Sequence, residues 1–131
     1  MSCSLIAMDF SVKLLTSQYD YMPQFYTKLV GVTFANQDGS DRQQIIEDLD
    51  DLLQQTSNVS LQLVREPQNS YDHNAIQVHD SQGRQIGYLS RSVSETLAPM
   101  MDNGIDVQCT LSQITGHSLD QNFGINIQIA Y

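Results

Sequence analysis

The chain has 131 residues, 40% of them hydrophobic, which is enough to build one core but not comfortably two. Its 15 acidic residues against 6 basic ones leave a formal net charge of -9, which favours solubility and repels polyanions at long range, so any nucleic-acid contact must be local. Cys3 and Cys109 make neither a disulfide framework nor a CxxC metal pair, so a reducing, cytoplasmic setting is expected.

Met1 to Phe10 has no basic start and no long apolar run before Asp9 and Lys13, which argues against a signal peptide or a membrane span. Residues 1–24 follow no single pattern and are expected to form an extension packed on a domain over residues 25–131. Phe25 to Phe34 is rich in aromatic and β-branched residues, which predicts a strand with a bulge or a close backbone approach at Gly31. Asn36-Gln37-Asp38-Gly39 turns the chain, and Ser40 is placed to cap a helix. Ile45, Ile46, Leu49, Leu52 and Leu53 recur at helical spacing along its buried stripe, while Glu47, Asp48, Asp50 and Asp51 form a solubilising face.

Val59, Leu61 and Leu63 alternate with polar residues, and two short strands, Ala75 to His79 and Arg84 to Leu89, are joined by Asp80-Ser81-Gln82-Gly83 as a hairpin. Ser92 and Glu95 have capping-box spacing for a second helix with a Val93, Leu97, Met100, Met101 stripe, and Gly104 supplies a left-handed stop. Ile105, Val107, Cys109 and Leu111 predict a strand, and Phe123, Ile125, Ile127, Ile129 and Tyr131 show the clearest alternation in the chain. The order strand, helix, three strands, helix, two strands excludes a doubly wound sheet. It favours a mostly β fold, a small antiparallel barrel with two peripheral helices.

Chemistry is concentrated in Leu63-Val64-Arg65-Glu66-Pro67-Gln68-Asn69-Ser70-Tyr71-Asp72-His73-Asn74-Ala75-Ile76, a strand running into a polar loop with groups that stack, donate and accept. Pro67 fixes a backbone dihedral, and Asn69 and Asn74 can bond neighbouring backbone groups, so the loop is expected to be ordered before a ligand arrives. From residue types alone, Tyr71 reads as a core-edge aromatic and Asp72 as the closure of an Asx turn. Phe34 and Phe123 read as core residues at strand ends, and Arg65 and Arg91 as surface charges. Asp72, His73, His79 and Asp80 lie close in sequence but match no zinc or calcium spacing, and no nucleophile elbow, P-loop or HExxH appears. Neither a metal, a cofactor nor an enzymatic activity is expected, and a metal-dependent hydrolase is the least favoured reading.

Four motifs in order, Val30-Gly31-Val32-Thr33-Phe34, Leu63-Val64-Arg65-Glu66-Pro67, Asn69-Ser70-Tyr71-Asp72-His73-Asn74-Ala75-Ile76 and Ile86-Gly87-Tyr88-Leu89, resemble the HIRAN domain from about Phe25 to the C-terminus. The resemblance implies an OB-like β-barrel that captures the 3′-hydroxyl end of single-stranded DNA in repair or replication-related processes, with a helicase or other DNA-processing protein as a possible partner. Carried over by motif, the stacking aromatic falls on Phe34 and the Tyr-Asp pair on Tyr71 and Asp72. The preceding Asn falls on Asn69, a basic residue on Arg91, and a late aromatic on Phe123. Thr33 stands where some members carry a basic residue, and a basic pair is reduced to Ser90-Arg91, which weakens phosphate attraction. The alternative is an acidic adaptor or decoy that binds proteins through the same fold, motivated by the net charge and the Glu47 to Asp51 cluster.

Overall fold

The computed structural model of the protein describes residues 23–118 and 120–131, so most of the expected N-terminal extension lies outside the described residues. The elements run β1 (Gln24–Lys28), α1 (Arg42–Gln55), β2 (Ser60–Arg65), β3 (Ile76–His79), β4 (Gln85–Tyr88), α2 (Arg91–Asp102), β5 (Gln108–Thr115) and β6 (Gly124–Ala130). Every strand pairing is antiparallel, and the six strands follow the spatial order β1-β6-β5-β2-β3-β4. The mostly β class with two peripheral helices is as the pattern predicts.

The alternation in β6 has the expected cause. Ile125, Ile127 and Ile129 are fully buried between β1 and β5, and such burial contributes about 1.5–3 kcal/mol per side chain. Across from them, Cys109 and Leu111 point into the same core, but Ile114 does so three residues after Leu111. A register shift between Leu111 and Gln113 accounts for this. Ser112 is an extra residue in β5, and that bulge restores Ile114 to the inner face. Burial also pushes the free Cys109 thiol up to about 12, so it packs as a small hydrophobe.

The first predicted strand is divided between two partners. β1 pairs with β6 only as far as Lys28, Leu29 donates to the Ile125 carbonyl, and Val30 then exchanges two 2.9 Å hydrogen bonds with Tyr88 of β4. Gly31 follows with φ +69, and its carbonyl accepts 2.7 Å from Nη1 of Arg42. The bridge at Val30 brings the first and last strands of the sheet together and curls it. Gly87 makes this possible, because a Cβ there would lie 2.8 Å from the Val30 carbonyl oxygen.

Both helices cover the curled sheet with stripes that differ from expectation at their edges. In α1, Asp41 rather than Ser40 is the N-cap and accepts from the Gln43 amide, while the Ser40 hydroxyl and amide turn back to Asp38. Ile45, Ile46 and Leu49 are buried as predicted, but Leu52 is 39% exposed and Arg42 joins the buried face. In α2 the N-cap is Ser90 rather than Ser92, Ser94, Leu97 and Ala98 form the buried stripe, and Gly104 takes the left-handed stop at φ +82. Ile105 is exposed and precedes the strand it was assigned to. Neither helix is long and apolar enough to cross a membrane.

The β3–β4 hairpin carries an acid that sequence spacing could only mark as a turn residue. Asp80 is 2% exposed, and its carboxylate accepts from the Gln82 amide at 3.0 Å, the Arg84 amide at 2.8 Å and Arg84 Nε at 2.7 Å. We expect Asp80→Ala to destabilise the protein by about 2–3 kcal/mol in urea unfolding, since buried amides lose a charged acceptor. Gly87→Ala should cost about 1–3 kcal/mol by the same measurement, because the Val30 backbone must move to admit a methyl group.

Candidate functional site

The closure at Val30 fixes one wall of an open cleft, the Asn69 to Ala75 loop supplies the opposite wall, and the end of β4 with the start of α2 forms the floor. The cleft has a volume of about 570 Å³ and is lined by Val30, Gly31, Phe34, Asn69, Tyr71, Asp72, Ala75, Tyr88, Leu89 and Arg91. Its lining is predominantly apolar, with few polar groups placed among the rings. Phe34, Asn69, Tyr71, Asp72 and Arg91, singled out from sequence, thus meet in one place.

Two rings stand out by exposure. Tyr71 is 90% exposed and Phe34 66%, so neither is the core or core-edge aromatic that its sequence context favours. Gly31 sits between rings, for a Cβ there would lie 3.6 Å from Phe34 Cδ2 and 3.7 Å from Tyr88 Cδ2. The glycine allows the chain to turn tightly and keeps that part of the cleft open.

The loop is built from local hydrogen bonds. Asn69 Oδ1 accepts from the amides of Tyr71 at 2.8 Å and Asp72 at 3.0 Å, and Asp72 Oδ1 accepts from the Asn74 amide at 2.9 Å. The Asx turn expected at Asp72 therefore exists, yet it uses one carboxylate oxygen. Oδ2 accepts no hydrogen bond among the described residues. From the strand side, Arg65 donates to the carbonyls of His73 at 3.0 Å and Ala75 at 2.9 Å while pairing with Asp102 at the end of α2. Arg65 is thus a clamp across loop, strand and helix, not the ordinary surface charge its sequence context suggested. Its hydrogen bond and charge hold the Asp102 carboxyl below the usual value.

Behind the floor lies a polar layer. Arg42 is buried, donates through Nε to Asn36 at 2.7 Å, and stands with its guanidinium carbon 5.7 Å from the centroid of the Tyr88 ring. Burial pulls the guanidinium pKa down, against the nearby Tyr88 and Glu66. The Tyr88 hydroxyl donates to the Glu66 carboxylate at 3.1 Å, and that carboxylate also accepts from Asn69 and Gln77. Burial raises the Glu66 pKa, but these hydrogen bonds and Arg42 outweigh it and hold the net value below that of a free carboxyl. The stabilisation is therefore fully present above the unfolded pKa and is lost as acid takes the pH down through the folded one.

Phe123 does not join the cleft. It lines a separate depression with Lys28, Thr33 and Thr115, and its ring meets His117 edge-on at 5.8 Å. Gln43 of α1 bonds both its amide, at 2.7 Å, and its carbonyl, at 3.1 Å, so the position is explained by the junction of α1 with β6. Conversely, sequence reasoning missed Tyr88, Glu66 and Arg42. Tyr88 and Glu66 lay within motifs already noted, whereas Arg42 sits on the helical stripe of Ile45, Ile46 and Leu49 and was passed over because a charged residue type is ordinarily solvated. The acidic groups of α1 are elsewhere and partly engaged, Asp48 with Arg84 and Asp50 with His117. Among the described residues there is no group of three or more His, Cys, Asp or Glu side chains that could hold a metal ion.

Comparison with known proteins places this geometry in a family. The HIRAN domain family model matches residues 24–130. A stretch of 41 residues, 31% of the chain, is 51% identical to 5% of an Arabidopsis thaliana protein named as a SWI/SNF-related matrix-associated actin-dependent regulator of chromatin subfamily A member 3-like 1. A stretch of 60 residues, 46% of the chain, is 43% identical to 5% of the helicase-like transcription factor of Oryctolagus cuniculus. The matches thus span about one twentieth of these relatives. The crystal structure of the HIRAN domain of human HLTF superposes with a TM-score of 0.56 at 21% identity, covering 82% of this chain and 73% of that one, and shares its fold.

The exposure of the two rings has a direct consequence. Phe34→Ala and Tyr71→Ala should each change unfolding free energy by no more than about 0.5 kcal/mol, as expected of surface substitutions. Thermal and urea unfolding of the two variants would check this; a loss of several kcal/mol would mean that the rings hold the fold together.

Proposed function

The chain belongs to the HIRAN domain family, and from that premise we propose that its cleft binds the 3′-hydroxyl end of single-stranded DNA. The observation that carries this reading is the convergence of two solvent-facing rings, Phe34 and Tyr71, with the Asp72 carboxylate on one ordered cleft. Stacking of a base on an aromatic ring contributes about 1–3 kcal/mol and tolerates any sequence. The free Oδ2 of Asp72 accepts a hydrogen bond from a terminal sugar hydroxyl and repels a phosphate in its place, which separates a chain end from the chain interior. Arg91, the one cationic side chain lining the cleft among the described residues, is placed to meet a backbone phosphate.

Recognition rather than chemistry is the function proposed, with a helicase or other DNA-processing protein as partner in repair or replication-linked work. The alternative of an acidic protein adaptor has less support, because two of the α1 acids are already paired within the chain.

Fluorescence anisotropy tests the reading. A short strand with a free 3′-hydroxyl should bind at least about tenfold more tightly than its 3′-phosphorylated twin, since a unit charge about 4 Å from a carboxylate costs about 1 kcal/mol even in water and more at a protein surface. Asp72→Asn should erase the preference, and Phe34→Ala or Tyr71→Ala should weaken binding by about 1–3 kcal/mol. With one phosphate met by Arg91, log affinity should fall against log salt with a slope of about -0.7, the value for one phosphate on a single strand. Equal affinity for the two strands, or no binding at high protein concentration, would defeat the proposal.

A further inference from the structure

Glu66 is absent from the residues that line the cleft, yet its carboxylate is joined to the loop wall through Asn69 and to the floor through Tyr88. Oε1 accepts from Asn69 Nδ2, and the Tyr88 hydroxyl reaches Oε1 at 3.1 Å and Oε2 at 3.3 Å, while Gln77 occupies Oε2. The backbone of the same residue is equally fixed, its amide donating to the Ala75 carbonyl at 2.9 Å and its carbonyl accepting from the Asn69 amide at 3.1 Å.

The chemistry of a side-chain amide makes this arrangement directional. An ionised carboxylate only accepts, so Asn69 must turn its NH₂ toward Glu66. Its oxygen is then obliged to face the other way, toward the amides of Tyr71 and Asp72, which it caps at 2.8 and 3.0 Å. An amide at position 66 would remove the compulsion, because only one of its two ends accepts: with its NH₂ toward Asn69 it opposes a donor or flips Asn69 off the two loop amides, and with its NH₂ toward Gln77 it opposes the donor of a side chain whose oxygen is engaged with His79.

We propose that Glu66 is a positioning residue that sets the cleft for its ligand without touching it, orienting Asn69 so that the Tyr71 ring and the Asp72 carboxylate are presented together, and anchoring the Tyr88 ring beneath them. This deepens, and rests on, the reading of the cleft as a nucleic-acid end site.

Glu66→Gln tests it, paired with the polarity swap Glu66→Gln/Asn69→Asp. In the swap the introduced amide donates to the introduced carboxylate, whose second oxygen accepts from the Tyr71 and Asp72 amides again, and the net charge of the wild type is retained. Two readouts are taken on the full chain: hydrogen exchange of the Tyr71 and Asp72 amides without ligand, and the affinity ratio for 3′-hydroxyl over 3′-phosphate strands. In Glu66→Gln, exchange at both amides should rise roughly tenfold while amides of β6 are unaffected, and the affinity ratio should fall toward one. The swap should restore both.

Unchanged exchange at Tyr71 and Asp72 in Glu66→Gln overturns the proposal whatever the DNA result. Exchange that rises throughout β6 as well also overturns it, since Glu66 would then be a general stability residue. If exchange responds and is rescued as expected but the wild type binds neither strand, the orienting role stands and the proposed ligand falls. The two failures are therefore distinguishable.

Discussion

Two backbone hydrogen bonds between Val30 and Tyr88 decide how the two sides of the cleft face each other. Without them, the segment after β1 would have no reason to leave β6, and Phe34 would have no fixed relation to the Asn69 to Ala75 loop, which belongs to the other end of the sheet. With them, a linear order of six strands becomes a curled surface whose ends meet. The bridge requires a backbone approach that only a residue without a side chain permits, and Gly87 is that residue. Arg42 then ties the Gly31 carbonyl to α1, so the closed edge is braced by a helix as well as by the sheet.

The cleft is unusual for a proposed nucleic-acid site in how little positive charge it presents. An acidic protein whose cleft carries one arginine among the described residues gains little from long-range attraction to a polyanion, so the proposed recognition rests on contact. Preorganisation is the physical answer. The loop is fastened at Asn69 by Glu66, at His73 and Ala75 by Arg65, and internally at Asp72 and Asn74. A loop ordered in advance would lose less conformational entropy on binding the proposed ligand, which offsets weak electrostatics.

Much of the fold was legible because its signals are local. The Ile125, Ile127, Ile129 alternation, the helical stripe at Ile45, Ile46 and Leu49, and the turn glycines depend on neighbours within a few residues. Phe34, Asn69, Tyr71, Asp72 and Arg91 were singled out through family motifs, since residue type alone assigned Phe34 to the core and Tyr71 to its edge. What escaped was non-local. Arg42 shares the helical stripe of Ile45, Ile46 and Leu49, but a charged residue type argues for solvent, and its partners, the Gly31 carbonyl and Asn36, are set by the fold around it. The division of the first strand at Leu29 was invisible for the same reason, as one apolar run serves two different partners. Phe123 was placed by a loose late alignment, and its neighbours are Gln43 and His117.

The bulge at Ser112 governs more than the position of one isoleucine. An antiparallel ladder without such an irregularity could slide by two residues and keep every side chain on its proper face, because the pleat repeats at that interval. With an odd residue lodged in β5, sliding would carry the kink away from the segment of β6 that accommodates it, and the inner faces on either side would fall out of phase. A single serine, contributing nothing to the core, thereby acts as a detent that admits one alignment of β5 on β6, and with it one curvature for the whole surface.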